Sequence, residues 1–326
     1  MENIRYFEMM KMTTAKIIIL STLFLLPVFL HAHGHEYLVS RKNIVEQFKG
    51  RIPKAWGEKL PGVKTRLKPE LCNGFENRDK RDGGSFDAKT AANGNSISKG
   101  FADKNAPYLL TNSESHYKIR VNTNDKVIAL TFDACGSKND GYDEQLINFL
   151  VAQKVPATLF INSRWIDKYH KEFNGLVANN LFEIENHGLN HSPASVNGKS
   201  QYKIKGTASV GELFDEVEKN ALKIEILTGK KPHFYRSGTA YYDDVAVDVI
   251  GALGYEIAGF SVLGDAGATY KKEQVKNTLL SAPPGSIVIF HMNHPEGETA
   301  EGIIEAIPLL KQQGFKFVTL SAYKLE

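Results

Sequence analysis

The sequence predicts an α/β fold whose parallel strands curl into a (β/α) barrel. Three observations carry this expectation. From residue 126 onward, short and nearly continuous apolar runs alternate with helical stretches. A strand covered on both faces by helices reads as such a run and not as an apolar–polar alternation. About seven of these strands fall in roughly the last 200 residues, which suits a barrel, complete or incomplete. Polar residues also follow several of the runs at the same, C-terminal end, where barrels of this class carry their chemistry.

The elements follow in order. VIALTF (127–132) is the first buried strand, and Leu146, Phe149 and Leu150 then share one helical face. PATLFIN (156–162) and FEIEN (182–186) are the next two strands. A long amphipathic helix over 212–227 carries Leu213, Val217, Leu222 and Ile226 and ends at Gly229. HFYR (233–236), YEIAGFSVL (255–263) and SIVIFH (286–291) read as strands. A helix over 301–313 stops at Gly314, and FKFVTL (315–320) is the last strand.

Ahead of residue 126 the pattern is different. Arg5, Lys11 and Lys16 precede an apolar run over 17–30, and Ala32 and Gly34 follow it. This is the layout of an export signal over 1–34. The run is shorter than the ~20 apolar residues of a comfortable membrane span, and an uncleaved anchor is the alternative. The rest of the chain is expected outside the cytoplasm, secreted or periplasmic, with no membrane span after maturation. Residues 35–67 read as a segment packing on the catalytic domain. Residues 68–125, with NRDKRDGGSFDAKTAANGNSISKG among them, have no apolar period and read as a low-complexity loop or insertion. The catalytic domain is 126–326.

The net charge of +3 comes without a basic stripe interleaved with aromatics, so nucleic acid is not an expected partner. The two cysteines, Cys72 and Cys135, are too few for a disulfide scaffold and form no CxxC zinc pattern. One disulfide is open to an exported chain.

The chemistry gathers at strand ends. Asp133 follows VIALTF, His187 follows FEIEN, Arg236 closes HFYR, Asp265 lies just past FSVL, and His291 closes SIVIF. His187 and His191 are four apart, and two neutral imidazoles suit Zn²⁺ or another first-row metal. Such a pair alone is weak evidence; beside four other polar strand ends it reads as a ligand pair. Asp133 at the end of a buried strand is costly unless paired, and Arg236 is its candidate partner. A purely structural ion pair is the bland reading. His291 beside a carboxylate such as Asp265 would have its pKa held up and suit a general acid, with Asp133 as the complementary base. A metal that polarises an acyl oxygen and activates water completes the parts for hydrolysing an amide or ester.

These residues fall in five stretches: TFDACG (131–136), NHGLNH (186–191), YRSGTAYY (235–242), SVLGDAG (261–267) and GSIVIFH (285–291). In this order and spacing they resemble the five motifs of the polysaccharide deacetylase family, also called carbohydrate esterase family 4 or the NodB homology domain. The resemblance covers the chain from residue 127 to its end. It implies a deformed (β/α) barrel and a divalent metal, Zn²⁺ first, with Co²⁺ or Mn²⁺ as alternatives. It implies that His187 and His191 hold the metal and that Asp133 is the base acting on a metal-bound water. Arg236 would orient Asp133, His291 would protonate the leaving amine, and Asp265 would tune His291. A backbone N–H near Tyr241 would help bind the oxyanion, and Ile289 would border the acetyl pocket.

The chain also departs from the family pattern. Ala134 stands where the family has a metal-binding Asp. Cys135, Asp140, Asp143 or Asp133 itself are the candidate replacements; for Cys135, strand alternation speaks against it, because neighbouring side chains face opposite ways. Gly188 replaces a Ser or Thr, residues 237–240 replace a Pro turn, and Ala266 replaces a Trp. Around this site His294 reads as a rim residue and His233 as structural, and Trp165 reads as packing. The expected activity is metal-dependent hydrolysis of N-acetyl groups on a bacterial glycan, peptidoglycan or exopolysaccharide, by a monomer. The alternatives are O-deacetylation, a metal-free amidohydrolase on a small molecule, and a non-catalytic glycan-binding barrel.

Overall fold

The structure is a computed structural model and describes residues 117–326, together with Lys42. The export signal over 1–34, the segment 35–67, Cys72 and residues 68–116 lie outside the described residues. Within the end of the stretch read as an insertion, β1 (Tyr117–Lys118) pairs in parallel with a later strand, and Val121 N–H donates to the Gly285 carbonyl.

The first long strand, β2 (Val127–Ala134), is buried along its whole length. After it come α1 (Glu144–Ala152), β3 (Ala157–Ile161), the short helices α2 (Ser163–Lys168) and α3 (His170–Val177), and β4 (Phe182–Asn186). Helix α4 (Val210–Thr228) is capped at Ser209, whose side chain accepts from Glu212 N, and stops at Gly229 in the left-handed region. Then follow β5 (Phe234–Tyr235), a 3₁₀ turn (Gly238–Ala240), α5 (Asp244–Ala252), β6 (Glu256–Ala258) and β7 (Val262–Leu263). The described chain ends with α6 (Lys272–Leu280), β8 (Ser286–His291), α7 (Thr299–Gln312), β9 (Lys316–Val318) and a last 3₁₀ turn (Leu320–Ala322).

The sheet order is β1-β6-β5-β4-β3-β2-β8-β7, with β9 also paired to β2, and every strand pairing is parallel. Residues 255–263, read as one strand, are two. β6 belongs to one end of this order and β7 to the other, yet only residues 259–261 separate them. A few residues of chain reach about 10 Å, so the two ends of the sheet must curl together. The seam is thus closed by chain continuity, which makes the sheet a deformed (β/α) barrel. Gly259 suits the break, because a Cβ there would lie 2.5 Å from the Tyr117 ring.

Two cores follow from the alternation along β2. Ile128, Leu130, Phe132 and Ala134 pack outward with Leu146, Leu150, Trp165, Phe290 and Ile303 against the helices. Val127 and Ala129 pack with Phe160, Phe234, Ala258, Ile287 and Leu320 in the second core. Each fully buried Leu, Ile or Phe contributes about 1.5–3 kcal/mol relative to exposure. The consequence for function is register. Asp133 on β2 pairs with His291 on β8, and Asn186, just before His187, pairs with Tyr235, just before Arg236. Parallel strands in register deliver those side chains to one end of the barrel.

Candidate active site

Asp133 and Arg236 form a buried ion pair. Arg236 Nη1 donates to Asp133 Oδ1 at 2.8 Å, and neither side chain is more than 4% exposed. Arg236 is held in turn by four further contacts: Nη1 to Thr131 Oγ1 at 2.9 Å, Nε to the Ala258 carbonyl at 2.9 Å, Nη2 to the Gly259 carbonyl at 3.0 Å, and its face on the Phe160 ring. Such a fork fits Arg and not Lys. Burial alone would push the Asp133 carboxyl up; the Arg236 guanidinium, with His187 and His291, more than offsets this and holds it below its ordinary value.

His187 leaves the end of β4 with Nδ1 2.8 Å from the Arg236 carbonyl oxygen. A carbonyl only accepts, so Nδ1 carries the proton and Nε2 faces the site. Nε2 lies 3.7 Å from Asp133 Oδ2 and 3.7 Å from Cys135 Sγ. The His191 ring stands edge-on to that of His187, with centroids 4.8 Å apart. One ligand atom each from Cys135, His187 and His191 fall within 4.8 Å of one another. Burial would push the Cys135 thiol up, but His191, His187 and His291 hold it well below its ordinary value. Burial would likewise push His187 down; the Asp133 carboxylate, helped by Cys135, raises it instead. Anionic groups therefore face the imidazoles across a common point, where a proton and a metal ion compete. Two imidazoles and a thiol are a donor set that a first-row divalent ion fits.

The loop that carries the histidines is fixed from α4. Buried Glu216 accepts from Asn190 N and Ser192 N, on either side of His191. Asn162 donates to the His187 and Gly188 carbonyls, and Asn186 accepts from Gly188 N. Gly188 has φ +79°, and a Cβ there would lie 2.5 Å from Glu216 Oε1. The hydroxyl side chain expected from the resemblance has no room here. His191 itself sits at φ 60°, and the 3₁₀ turn packs beneath it so closely that a Cβ on Gly238 would lie 2.1 Å from the His191 carbonyl oxygen. The replaced Pro turn and the replaced Ser or Thr are thus parts of one arrangement.

Opposite Asp133, His291 Nδ1 lies 2.9 Å from Asp265 Oδ1, and His291 N donates to Asp265 Oδ2 at 2.7 Å. Asp265 is fully buried and also accepts from Thr299 Oγ1 and Gly267 N. Burial alone would push His291 down; the Asp265 carboxylate beside it, with the Cys135 thiol, holds it well above its ordinary value. Ile289, two residues earlier on β8, is register partner to Thr131.

Asp133, His187, His191, Arg236, Asp265 and His291 are all brought to this end of the barrel. The alternation argument against Cys135 is corrected by the structure. Asp133 and Cys135 are two apart, so they return to one face, while Ala134 between them packs in the outer core. The other replacements are engaged elsewhere. Asp143 accepts from Leu146 N as the cap of α1, and Asp140 is held by Ser137 N–H and hydroxyl, with His294 at 3.8 Å. His294 is 2.9 Å from Glu296 and joins the rim. His233 is exposed, and Trp165 is fully buried in the outer core. Glu216, Asn162 and Thr131 were not singled out from the sequence; an acidic residue on the buried side of a predicted helix, as Glu216 is, was the available signal.

The family model for polysaccharide deacetylase matches residues 120–258. A peptidoglycan-N-acetylglucosamine deacetylase of Bacillus cereus is 27% identical over 205 residues, covering 62% of this chain and 89% of the relative. Residues 120–258 thus carry a polysaccharide deacetylase domain. Three solved structures share its fold. A family 4 carbohydrate esterase of Bacillus subtilis has TM-score 0.54 at 23% identity, over 64% of this chain and 85% of that one. A peptidoglycan N-acetylglucosamine deacetylase crystallised with an N-oxidanyl-benzamide has TM-score 0.55 at 21% identity, over 64% and 93%. A CE4 family pseudoenzyme from Bacillus anthracis has TM-score 0.53 at 23% identity, over 64% and 68%. The stretch matched by the polysaccharide deacetylase model contains Asp133, His187, His191 and Arg236; Asp265 and His291 come from the barrel beyond it. No helix among the described residues is long and apolar enough to cross a membrane.

Proposed function

We propose that this protein hydrolyses N-acetyl groups of a bacterial glycan, peptidoglycan or an exopolysaccharide, outside the cytoplasm, with a divalent metal held by His187 and His191. One observation carries the reading: a carboxylate held ionised by Arg236 and an imidazole held protonated by Asp265 are register partners on β2 and β8, beside the histidine pair. Base and acid with pKa values pushed apart are what amide hydrolysis requires.

A divalent metal supplies Lewis-acid polarisation of the acyl oxygen and a lowered pKa for the attacking water. Asp133 Oδ1 is engaged by Arg236, so Oδ2, on the His187 side, takes the proton of that water. His291 has Nδ1 on Asp265, which leaves Nε2 to give a proton to the departing amine nitrogen as the C–N bond breaks and acetate forms. The turn that leads into Tyr241 adjoins the His191 loop, where its backbone can donate to the developing oxyanion. Ile289 borders the acetyl methyl. The basic and apolar start of the chain supports export.

The test is acetate release from N-acetylglucosamine oligomers and from peptidoglycan, with protein stripped of metal and reloaded with Zn²⁺, Co²⁺ or Mn²⁺. Activity lost on stripping and regained on reloading is expected. Activity that ignores the metal would favour a metal-free amidohydrolase. Glycan binding with no acetate under any loading would favour a non-catalytic barrel.

A further inference from the structure

Resting on the metal-dependent reading above, we propose that Cys135 is the third protein ligand, so that the centre is a two-imidazole, one-thiolate site selective for Zn²⁺ or Co²⁺ over Mn²⁺, Mg²⁺ and Ca²⁺. The position falls to Cys135 by geometry. Its Sγ and one nitrogen each of His187 and His191 lie within 4.8 Å of one another, close enough for small movements to bring all three onto one ion. The sulfur is on the same face as Asp133, and the backbone behind it is fixed. The Ala134 carbonyl accepts from Asn162 N, and Gly136 turns away at φ +76°, where a Cβ would lie 2.6 Å from Trp165 N.

The two imidazoles are presented in the way metal-binding histidines are. His187 gives its Nδ1 proton to a backbone carbonyl and turns Nε2 inward, the outer-shell pattern that orients such ligands. His191 is held in an unfavourable left-handed conformation by Glu216 on one side and Gly238 on the other. Backbone strain kept by buried contacts is characteristic of functional positions. Of the carboxylates near the site, Asp265 is committed to His291, Asp140 to Ser137 and Asp143 to the α1 cap, and Asp133 gives Oδ1 to Arg236 and keeps Oδ2 for the base role proposed above. Three protein ligands would leave a further position open to water or substrate, as in catalytic zinc sites. A thiolate in place of a carboxylate moves the preference toward softer, borderline ions.

A rival use of the same sulfur is nucleophilic attack on the acetyl carbonyl, with His291 and Asp265 as its base and orienter. The metal reading is favoured because a nucleophile needs one imidazole, whereas His187 and His191 both converge on Cys135.

The experiment is titration of the metal-stripped full chain with Co²⁺, followed by absorption. One Co²⁺ per chain with a near-ultraviolet thiolate-to-Co²⁺ band is expected. Cys135→Ser should lose the band and bind Zn²⁺ at least about tenfold more weakly, the lower end of what loss of even an outer-shell partner does. Cys135→Asp should bind metal without the band and shift preference toward Mn²⁺. On the wild-type protein, which needs no variant to fold, Zn²⁺ should block iodoacetamide alkylation of the Cys135 peptide. Stoichiometric Co²⁺ without the band, with Cys135 still alkylated, would overturn the ligand while leaving metal-dependent deacetylation standing. An acetylated Cys135 trapped during turnover in metal-free protein would overturn both.

Discussion

Cys135 Sγ lies 3.7 Å from His187 Nε2, although one residue follows β2 and the other follows β4, 52 positions later. β3 alone separates β2 from β4 in the sheet, and its register sets Ala134 against Ile161 and Ile161 against Asn186. That alignment brings Cys135 and His187, one residue past each outer partner, to the same level of the barrel. The thiol, two imidazoles and the Asp133–Arg236 pair are therefore one electrostatic unit, and changes to one member are felt by the rest.

Asp133→Asn should lower deacetylation by about 10²–10⁴-fold, the usual contribution of a general base. The amide oxygen can still accept from Arg236, so the fold survives. Asp133→Ala leaves the buried guanidinium without its counter-charge and should cost about 3–5 kcal/mol. Initial rates and thermal unfolding of the two variants check this; unchanged turnover in Asp133→Asn would remove it as the base.

Asp265→Asn should move the alkaline limb of the pH–rate profile to lower pH. His291 acts in its protonated form, so activity is held below its pKa and falls as pH rises through it. The Asp265 carboxylate raises that pKa well above the ordinary value against the opposing effect of burial. Without the carboxylate, burial remains, and the imidazole deprotonates earlier. A profile of kcat/KM that keeps its alkaline limb in place would assign that limb to another group.

Gly188→Ser restores the residue type the family usually has, yet it should damage this protein. The position has φ +79°, and a Cβ would press on Glu216 Oε1, which holds Asn190 N and Ser192 N. A loss of about 1–3 kcal/mol follows from strain of this kind, with weaker Zn²⁺ binding because His191 shifts. Tm and Zn²⁺ affinity measured on the same sample separate this from a local loss of a hydroxyl contact, which would leave Tm unchanged.

Glu185→Gln should stabilise the protein near neutral pH. Burial, with Glu183 nearby, raises the Glu185 carboxyl well above its ordinary value. A raised folded pKa means stability is fully present below the unfolded value and is lost as pH rises through the folded one. Gln can still accept from Phe234 N, the 2.6 Å contact of the native carboxylate. The Tm advantage of the variant should be absent at pH 4 and grow toward pH 8; a constant difference would point to packing instead.

The sequence by itself determined the α/β class, the run of long strands, the capped helix α4 and the strand-end residues Asp133, His187, Arg236, Asp265 and His291. These are local matters: a strand buried on both faces is written as a continuous apolar run, and a polar residue at its end stands out against it. Tertiary structure decided the rest. The two-residue strand β1 carries no period of its own and exists through its pairing with β6. Gly259 is required at the break because the Tyr117 ring occupies the space a side chain would need. Cys135 joins the histidines through the register of three strands, and Gly188 is required by Glu216 from a helix that begins 22 residues later. Each of these depends on a partner distant along the chain, and only folding sets such partners side by side.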